Sequence, residues 1–353
     1  MMPLFLRLKS INMKDLWSYL KETSKPIVLY GTGNGADKIY ARLLKENIKI
    51  SGVFASSGFK KGKNFNGFTV TSYEELKSAL GDMIILVCFG SHLDSVIENI
   101  LKLEKENELY LPDVPVCDGE IFDVFFAKKH RSELERVYAL LADEQSKRVF
   151  ENTVYFKLTG KSSYLTEIET ERKEVFDILS LKEENYLDLG AFNGDTVAEF
   201  LEYDKNYKSI IALEPDSRNF RKLKENTKDL ENITLINSAV GESGGSVYIA
   251  KNKGRGNSQS GKTVEISSLT IDEISKTVCP TFIKADVEGS EMSAIMGGER
   301  TIAKKPKLHI AAYHKSEDIF AIPLRILEIN PHYKIYMRKH KALPAWDINY
   351  IFI

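Results

Sequence analysis

Short apolar runs alternate with amphipathic stretches along this chain, and the arrangement occurs twice. The first run, Ile27-Val-Leu-Tyr30, meets the turn Gly31-Thr-Gly33-Asn-Gly35-Ala36 and then a helical stretch from Asp37 to Asn47. A second strand is predicted over Ile48–Phe54. After it come a glycine- and lysine-rich loop (Gly58–Gly67), a helix near Tyr73–Leu80 and a buried strand over Met83–Phe89. Strands alternating with helices in this way predict a parallel sheet. From Ala127 to about Lys161 the sequence turns charged and helix-favouring, with Leu134, Val137, Tyr138 and Leu141 on one stripe. That spacing predicts an amphipathic connector packed between two units.

The second unit is expected to open with a helix around Glu169–Leu179, the strand Tyr186–Leu189 and a helix over Thr196–Tyr203. Further strands are expected at Ile210–Leu213, Thr234–Asn237, Thr281–Ala285 and Leu308–Tyr313, and then at Lys334–Met337 and Ile348–Ile353. A loop rather than a full helix separates the last two, so they fit an antiparallel pair at a sheet edge. The reading is an α/β chain of two Rossmann-like domains: residues 1–126, a helical connector 127–165, and residues 166–353.

Composition narrows the function classes. A length of 353 residues exceeds what one core usually serves. The net charge of -1, from 49 Lys plus Arg against 50 Asp plus Glu, gives no reason to expect nucleic acid or an anionic membrane as partner. Cys88, Cys117 and Cys279 lie far apart and form no metal or redox spacing, as expected of reduced thiols. The longest apolar run, Met83–Phe89, falls far short of the ~20 residues that cross a bilayer. Pro3–Leu6 is a short apolar patch before Arg7 and Lys9, without the pattern of a secretion signal. A cytoplasmic protein is expected, with no membrane span; a homodimer is among the assemblies it could form.

The strongest constellation is Asp188-Leu-Gly190-Ala191-Phe192-Asn193-Gly194-Asp195, which follows a predicted strand and opens a helix at Thr196. Its glycines let the backbone turn sharply and approach a bound nucleoside. Asp188 at the strand end could meet a ligand ammonium group or an ordered water. The next strand delivers Glu214-Pro215-Asp216, and Glu214 lies where an acid would accept hydrogen bonds from both ribose hydroxyls. This pairing points to a nucleoside-type ligand without separating S-adenosylmethionine from NAD.

Five segments separate them. Leu187-Asp-Leu-Gly-Ala-Phe-Asn-Gly-Asp195, Leu213-Glu-Pro-Asp216, Asn237-Ser-Ala-Val-Gly241, Ser267-Ser-Leu-Thr-Ile-Asp272 and Ile283-Lys-Ala-Asp-Val-Glu-Gly-Ser-Glu291 resemble, in order, the FkbM family of methyltransferases. Ala142-Asp-Glu-Gln-Ser146 and Lys157-Leu-Thr-Gly160 resemble the segment preceding that domain in two-domain members. The resemblance implies a class I methyltransferase fold, a mostly parallel seven-stranded sheet with an antiparallel terminal hairpin. It also implies S-adenosylmethionine across the strand carboxyl ends, with Ser238, Ala239 and Val240 along the adenine. The implied reaction is methylation of a hydroxyl oxygen on a sugar or glycan-like acceptor, in surface polysaccharide or natural-product biosynthesis.

A sugar hydroxyl is a weak nucleophile, so a general base or a metal would help it. Asp286 is expected at the carboxyl end of the fourth strand, as base, cofactor contact or helix N-cap. Glu288 and Glu291 follow as ligand contacts or first-turn acids. His314, after the fifth strand, is the preferred base because an unperturbed imidazole titrates near neutrality. Asp286, Glu288 and His314 could together hold a divalent ion, although their spacing does not diagnose one. The basic run Arg338-Lys-His-Lys341 reads as solvated surface, or else as contact to an acidic part of the acceptor.

The first glycine turn lacks the acid that an NAD site wants at the end of strand two, since Phe54 runs into Ala55-Ser-Ser57. Lys60, Lys61 and Lys63 could suit a phosphate. This half resembles the module ahead of sugar-modifying domains in surface-polysaccharide enzymes, implying docking, dimerisation or a nucleotide-like ligand. The alternatives for the whole chain are an oxidoreductase or epimerase of nucleotide sugars acting through the first domain, or a non-catalytic scaffold.

Overall fold

The computed structural model describes residues 14–56, 64–117, 119–250 and 263–353. Pro3–Leu6, Arg7, Lys9, Ser57, Lys60, Lys61 and Lys63 lie outside them. The first half forms a six-stranded sheet in the order β3-β4-β2-β1-β5-β6. Its strands are β1 (Ile27–Tyr30), β2 (Gly52–Phe54), β3 (Asn64–Phe65), β4 (Phe68–Thr71), β5 (Ile84–Val87) and β6 (Glu108–Tyr110). All neighbours run parallel except β3 and β4. β1 and β5 are buried along their whole length, as continuous apolar runs in a parallel sheet should be.

The second half carries β7 (Asn185–Leu189), β8 (Ser209–Leu213), β9 (Ile233–Ile236), β10 (Ala239–Val240), β11 (Gly245–Ala250), β12 (Thr263–Leu269), β13 (Phe282–Ala285), β14 (Lys307–Ala311), β15 (Ile335–Lys339) and β16 (Ile348–Phe352). Seven of these form one sheet in the order β15-β16-β14-β13-β7-β8-β9, in which β16 is antiparallel to both neighbours. The class I sheet and its terminal hairpin are therefore present. β10, β12 and β11 form a separate small sheet that apolar patterning did not predict.

The connector region is helical. It is a series of helices, Val124–Lys129, Arg131–Leu140, Glu144–Thr159 and Ser163–Thr166. Leu134, Val137 and Leu141 are buried as their stripe requires, and Glu144–Thr159 also buries Val149, Phe150, Val154 and Phe156. One apolar cluster runs without a break from Val28 and Ile85 in the first sheet, through Phe150 and Phe156, to Ile283, Ile310 and Tyr350 in the second.

The basic run is where sequence and structure part most. Arg338, Lys339 and His340 are buried rather than solvated. Arg338 donates to Asp143 Oδ2 at 2.7 Å, to Glu174 Oε1 at 2.6 Å and to Ser146 Oγ at 2.8 Å. Lys339 donates to the Ala342 carbonyl and pairs with Glu169, while Lys341 pairs with Asp94. Arg338 thus ties the hairpin to the connector. Removing it strands two carboxylates that are only part-buried, which tempers the ~3–5 kcal/mol typical of a broken buried pair. Arg338→Ala is expected to lower unfolding stability by roughly 2–3 kcal/mol, read from urea denaturation at neutral pH.

Candidate active site

The carboxyl ends of β7, β8, β13 and β14 converge on one edge, where open α/β sheets bind ligands. After β7 the chain turns through Gly190 and Gly194, both with left-handed backbones (φ 83° and 92°). Gly190 passes so close to the next strand that a Cβ there would lie 1.9 Å from the Asp286 carbonyl oxygen. Asn193 Oδ1 accepts from the Asp195 N–H, and the Asp195 carboxylate accepts from the Thr196 N–H. Phe192 lies exposed above the turn.

Glu214, at the end of β8, accepts from the Phe192 N–H at 3.0 Å and the Asp216 N–H at 2.8 Å. One carboxylate oxygen serves each bond, and the Asn219 side chain also interacts with the carboxylate. Burial raises the Glu214 carboxyl above its ordinary range, against those two N–H donors. Asp216 caps the helix Ser217–Asn226 through the N–H groups of Arg218 and Asn219. Pro215 lends its carbonyl to Asn237. Ser238 is buried and donates to the carbonyls of Ala239 and Ser267, so its hydroxyl holds the small sheet in place. Ala239 and Val240 form β10 itself.

Asp188 sits below the turn rather than in it. It is 0% exposed, accepts from Thr196 Oγ1 and lies 3.6 Å from Lys284 Nζ. Lys284 also donates to the Gly190 carbonyl at 3.2 Å. Burial raises the Asp188 carboxyl, and Lys284 opposes that shift. In this position Asp188 holds Lys284 and Thr196.

Asp286 directly follows β13 and is not a helix cap; the helix Glu291–Met296 is capped at Ser290. Asp286 faces a cleft of about 830 Å³ and accepts from Tyr313 Oη at 3.2 Å. His314 lies behind it with 1% of its side chain exposed. Its Nε2 is 3.5 Å from Asp286 Oδ1 and 3.7 Å from Glu288 Oε2. Its Nδ1 is 2.9 Å from Glu291 Oε1, a close ion-pair contact off the hydrogen-bonding axis. Burial pushes the imidazole down, but Glu291, Asp286 and Glu288 outweigh it and raise its pKa. Glu291 is pulled down by His314 and the Val287 N–H against its own burial. Glu288 stands in left-handed backbone with an exposed carboxylate.

Among the described residues, the group suited to a metal is Asp286, Glu291 and His314, with candidate ligand atoms within 4.8 Å of one another. The His314–Glu291 contact gives that cluster internal charge balance. Sequence reasoning placed Glu291 here as a ligand contact or a first-turn acid; its burial against His314 had no local signal. The first half also reaches this point. Cys117 donates its N–H to the His314 carbonyl at 3.2 Å, and its Sγ lies 2.9 Å from the Glu288 carbonyl.

A family model described as the methyltransferase FkbM domain matches residues 188–340, spanning the glycine turn, Glu214, Asp286 and His314. The second half is an FkbM methyltransferase domain. As such it is an S-adenosylmethionine-dependent methyltransferase. A second model, described as C2185-like, N-terminal, matches residues 23–108. Among solved structures, methyltransferase FkbM from Methylobacillus flagellatus KT is similar with a TM-score of 0.74 and 22% identity, over 99% of this chain and 97% of that one. That likeness covers both halves, so the fold recurs as a two-unit whole. An rRNA methylase from Streptococcus thermophilus is 12% identical over 52% of this chain and 96% of its own, with a TM-score of 0.35. Aeropyrum pernix fibrillarin in complex with S-adenosyl-L-methionine is 12% identical over 52% of this chain and 74% of its own, with a TM-score of 0.32. No curated protein matches the chain. Among the described residues, no helix is long and apolar enough to cross a membrane.

The glycine turn of the FkbM domain fits a nucleoside-bearing cofactor, since Gly190 leaves no room for a side chain and the Glu214 carboxylate stands beside the turn at the end of the next strand. The first-half turn lacks such an acid. Beyond β2, Ser56 Oγ instead meets Tyr30 Oη at 2.5 Å.

Proposed function

We propose that this protein is an O-methyltransferase acting on a hydroxyl of a sugar or glycan-like acceptor, with Asp286 as the general base. The observation that carries this reading is the position of Asp286, a carboxylate at the end of β13 that opens on the cleft while His314 and Glu291 are sealed behind it. S-adenosylmethionine supplies an electrophilic methyl group that needs no further activation, so the protein's task is to align the acceptor oxygen and take its proton. Gly190, Asn193 and Asp195 would border the cofactor, and Glu214 would accept from its ribose hydroxyls. The acceptor proton passes to an Asp286 carboxylate oxygen. His314 stands 3.5 Å behind Asp286 and contacts Glu291 on its other side, so the pair holds the base in place. His314 acts here as a positioning residue. The first half serves as a platform that braces this turn through Cys117.

Calorimetric titration with S-adenosylmethionine, followed by assay of methyl transfer to a glycan panel, tests the reading. Saturable binding and transfer to oxygen support it; a folded protein that binds NADH and not S-adenosylmethionine overturns it. Glu214→Ala removes the acceptor for two ribose hydroxyls, worth ~1.5–3 kcal/mol when charged. It is expected to weaken S-adenosylmethionine binding roughly 10- to 100-fold in the same titration.

A further inference from the structure

Beyond Asp286 the cleft continues over a buried polar row that the methyl-transfer chemistry leaves unused. Strand register sets Asp188, Lys284 and His309 side by side on β7, β13 and β14. Lys284 Nζ lies 3.6 Å from Asp188 Oδ1 as an ion pair, and His309 does not share in it. It is 8% exposed, lines the cleft, and its Nε2 has no hydrogen-bond partner. A buried unpaired ring nitrogen is costly, and a ligand hydroxyl would relieve it. Burial holds the His309 imidazole down at about 3, so it meets that hydroxyl uncharged.

The far wall is Trp346, 37% exposed. A Cβ on Gly90 of the first half would lie 2.4 Å from its ring, so the indole rests directly on that glycine. Paired backbone bonds between Ser91 and Leu343 fix the contact. Asp347, in left-handed backbone beside Trp346, pairs with Arg172 and accepts from Asn349. The lining carries six carboxylates against three Lys or Arg side chains. Each of those three is already paired: Lys284 with Asp188, Arg172 with Asp347, and Lys341 with Asp94. Among the described residues of that lining, no Lys or Arg side chain is left unpaired to compensate a phosphate or a uronate.

We propose that this end of the cleft is an acceptor subsite for an uncharged pyranose, with His309 Nε2 bonded to a ring hydroxyl and Trp346, seated on Gly90 of the first half, against the apolar face of the sugar. The inference rests on the sugar O-methyltransferase reading and adds charge selectivity and a specificity role for both halves. It also replaces the expected contact of the basic run with an acidic acceptor, because that run is spent on internal pairs.

The test is calorimetric titration of the full chain, saturated with S-adenosylhomocysteine, using methyl glucoside, methyl mannoside, methyl rhamnoside and methyl glucuronide. At least one neutral glycoside should bind saturably, and the glucuronide at least about tenfold more weakly than the glucoside. Trp346→Ala and His309→Asn should each weaken the neutral glycoside about tenfold, with Trp346→Phe retaining most of the affinity and S-adenosylhomocysteine binding unchanged throughout. Gly90→Val, which displaces the indole from the first half, should raise KM for the glycoside and leave kcat within about threefold. Equal or tighter binding of the glucuronide overturns the inference, as does indifference of binding to both substitutions. If S-adenosylhomocysteine binds and no neutral glycoside does, this inference alone falls. If S-adenosylhomocysteine itself does not bind, the methyltransferase reading falls and takes this one with it.

Discussion

Asp286→Asn is expected to slow methyl transfer by about 10²- to 10⁴-fold while leaving S-adenosylmethionine affinity within about threefold. The amide keeps the size of the carboxylate and can still meet Tyr313 Oη, so the cleft wall is preserved. What it loses is the ability to take a proton. Single-turnover transfer at saturating cofactor and acceptor reads this directly, because KM should move little. A His314→Gln variant separates the two groups. If His314 acts through Asp286, its loss lowers kcat by less than the loss of Asp286 itself and leaves KM nearly unchanged. A kcat preserved in Asp286→Asn would assign the base elsewhere.

Gly190→Ala carries the other large effect. The substituted residue would need left-handed backbone, which costs ~1–2 kcal/mol for an L-residue, before any contact is counted. Its Cβ would then lie 1.9 Å from the Asp286 carbonyl, a backbone atom with no side chain to swing away. The β7 and β13 ends must separate, and the turn that borders the cofactor moves with them. Binding of S-adenosylmethionine should weaken by at least about 100-fold, with unfolding stability lowered by several kcal/mol, on the order of a severe point mutation. Gly33→Ala in the first glycine turn is the control. Gly33 has φ -89°, and its Cβ would meet nothing within 4 Å. That substitution should leave both measurements unchanged, which makes the two turns energetically unlike despite their similar sequences.

The strands that carry the site were legible because they are short, buried and continuous. β1, β7, β8 and β13 all stand where apolar runs meet glycine or an acid. β3, β10 and the hairpin of β11 and β12 were not, because two-residue strands and small-sheet strands carry no distinctive periodicity. Residues 338–341 misled for a related reason. Charge along a chain reads as solvent exposure, and the partners Asp143, Glu169 and Glu174 lie more than 160 positions away. Glu214 was legible because one strand and one turn fix its place. His309 was not, since its relation to Lys284 and Asp188 exists only in the register of three strands.

The apolar cluster that runs from the first sheet through the connector into the second leaves no hinge between the halves. Enzymes of two lobes commonly trap a substrate by swinging one lobe over the other, and a shared interior forbids that motion without unfolding part of it. Acceptor entry, product exit and cofactor exchange are therefore expected to be gated by short surface turns, on the timescale of loops rather than of domains.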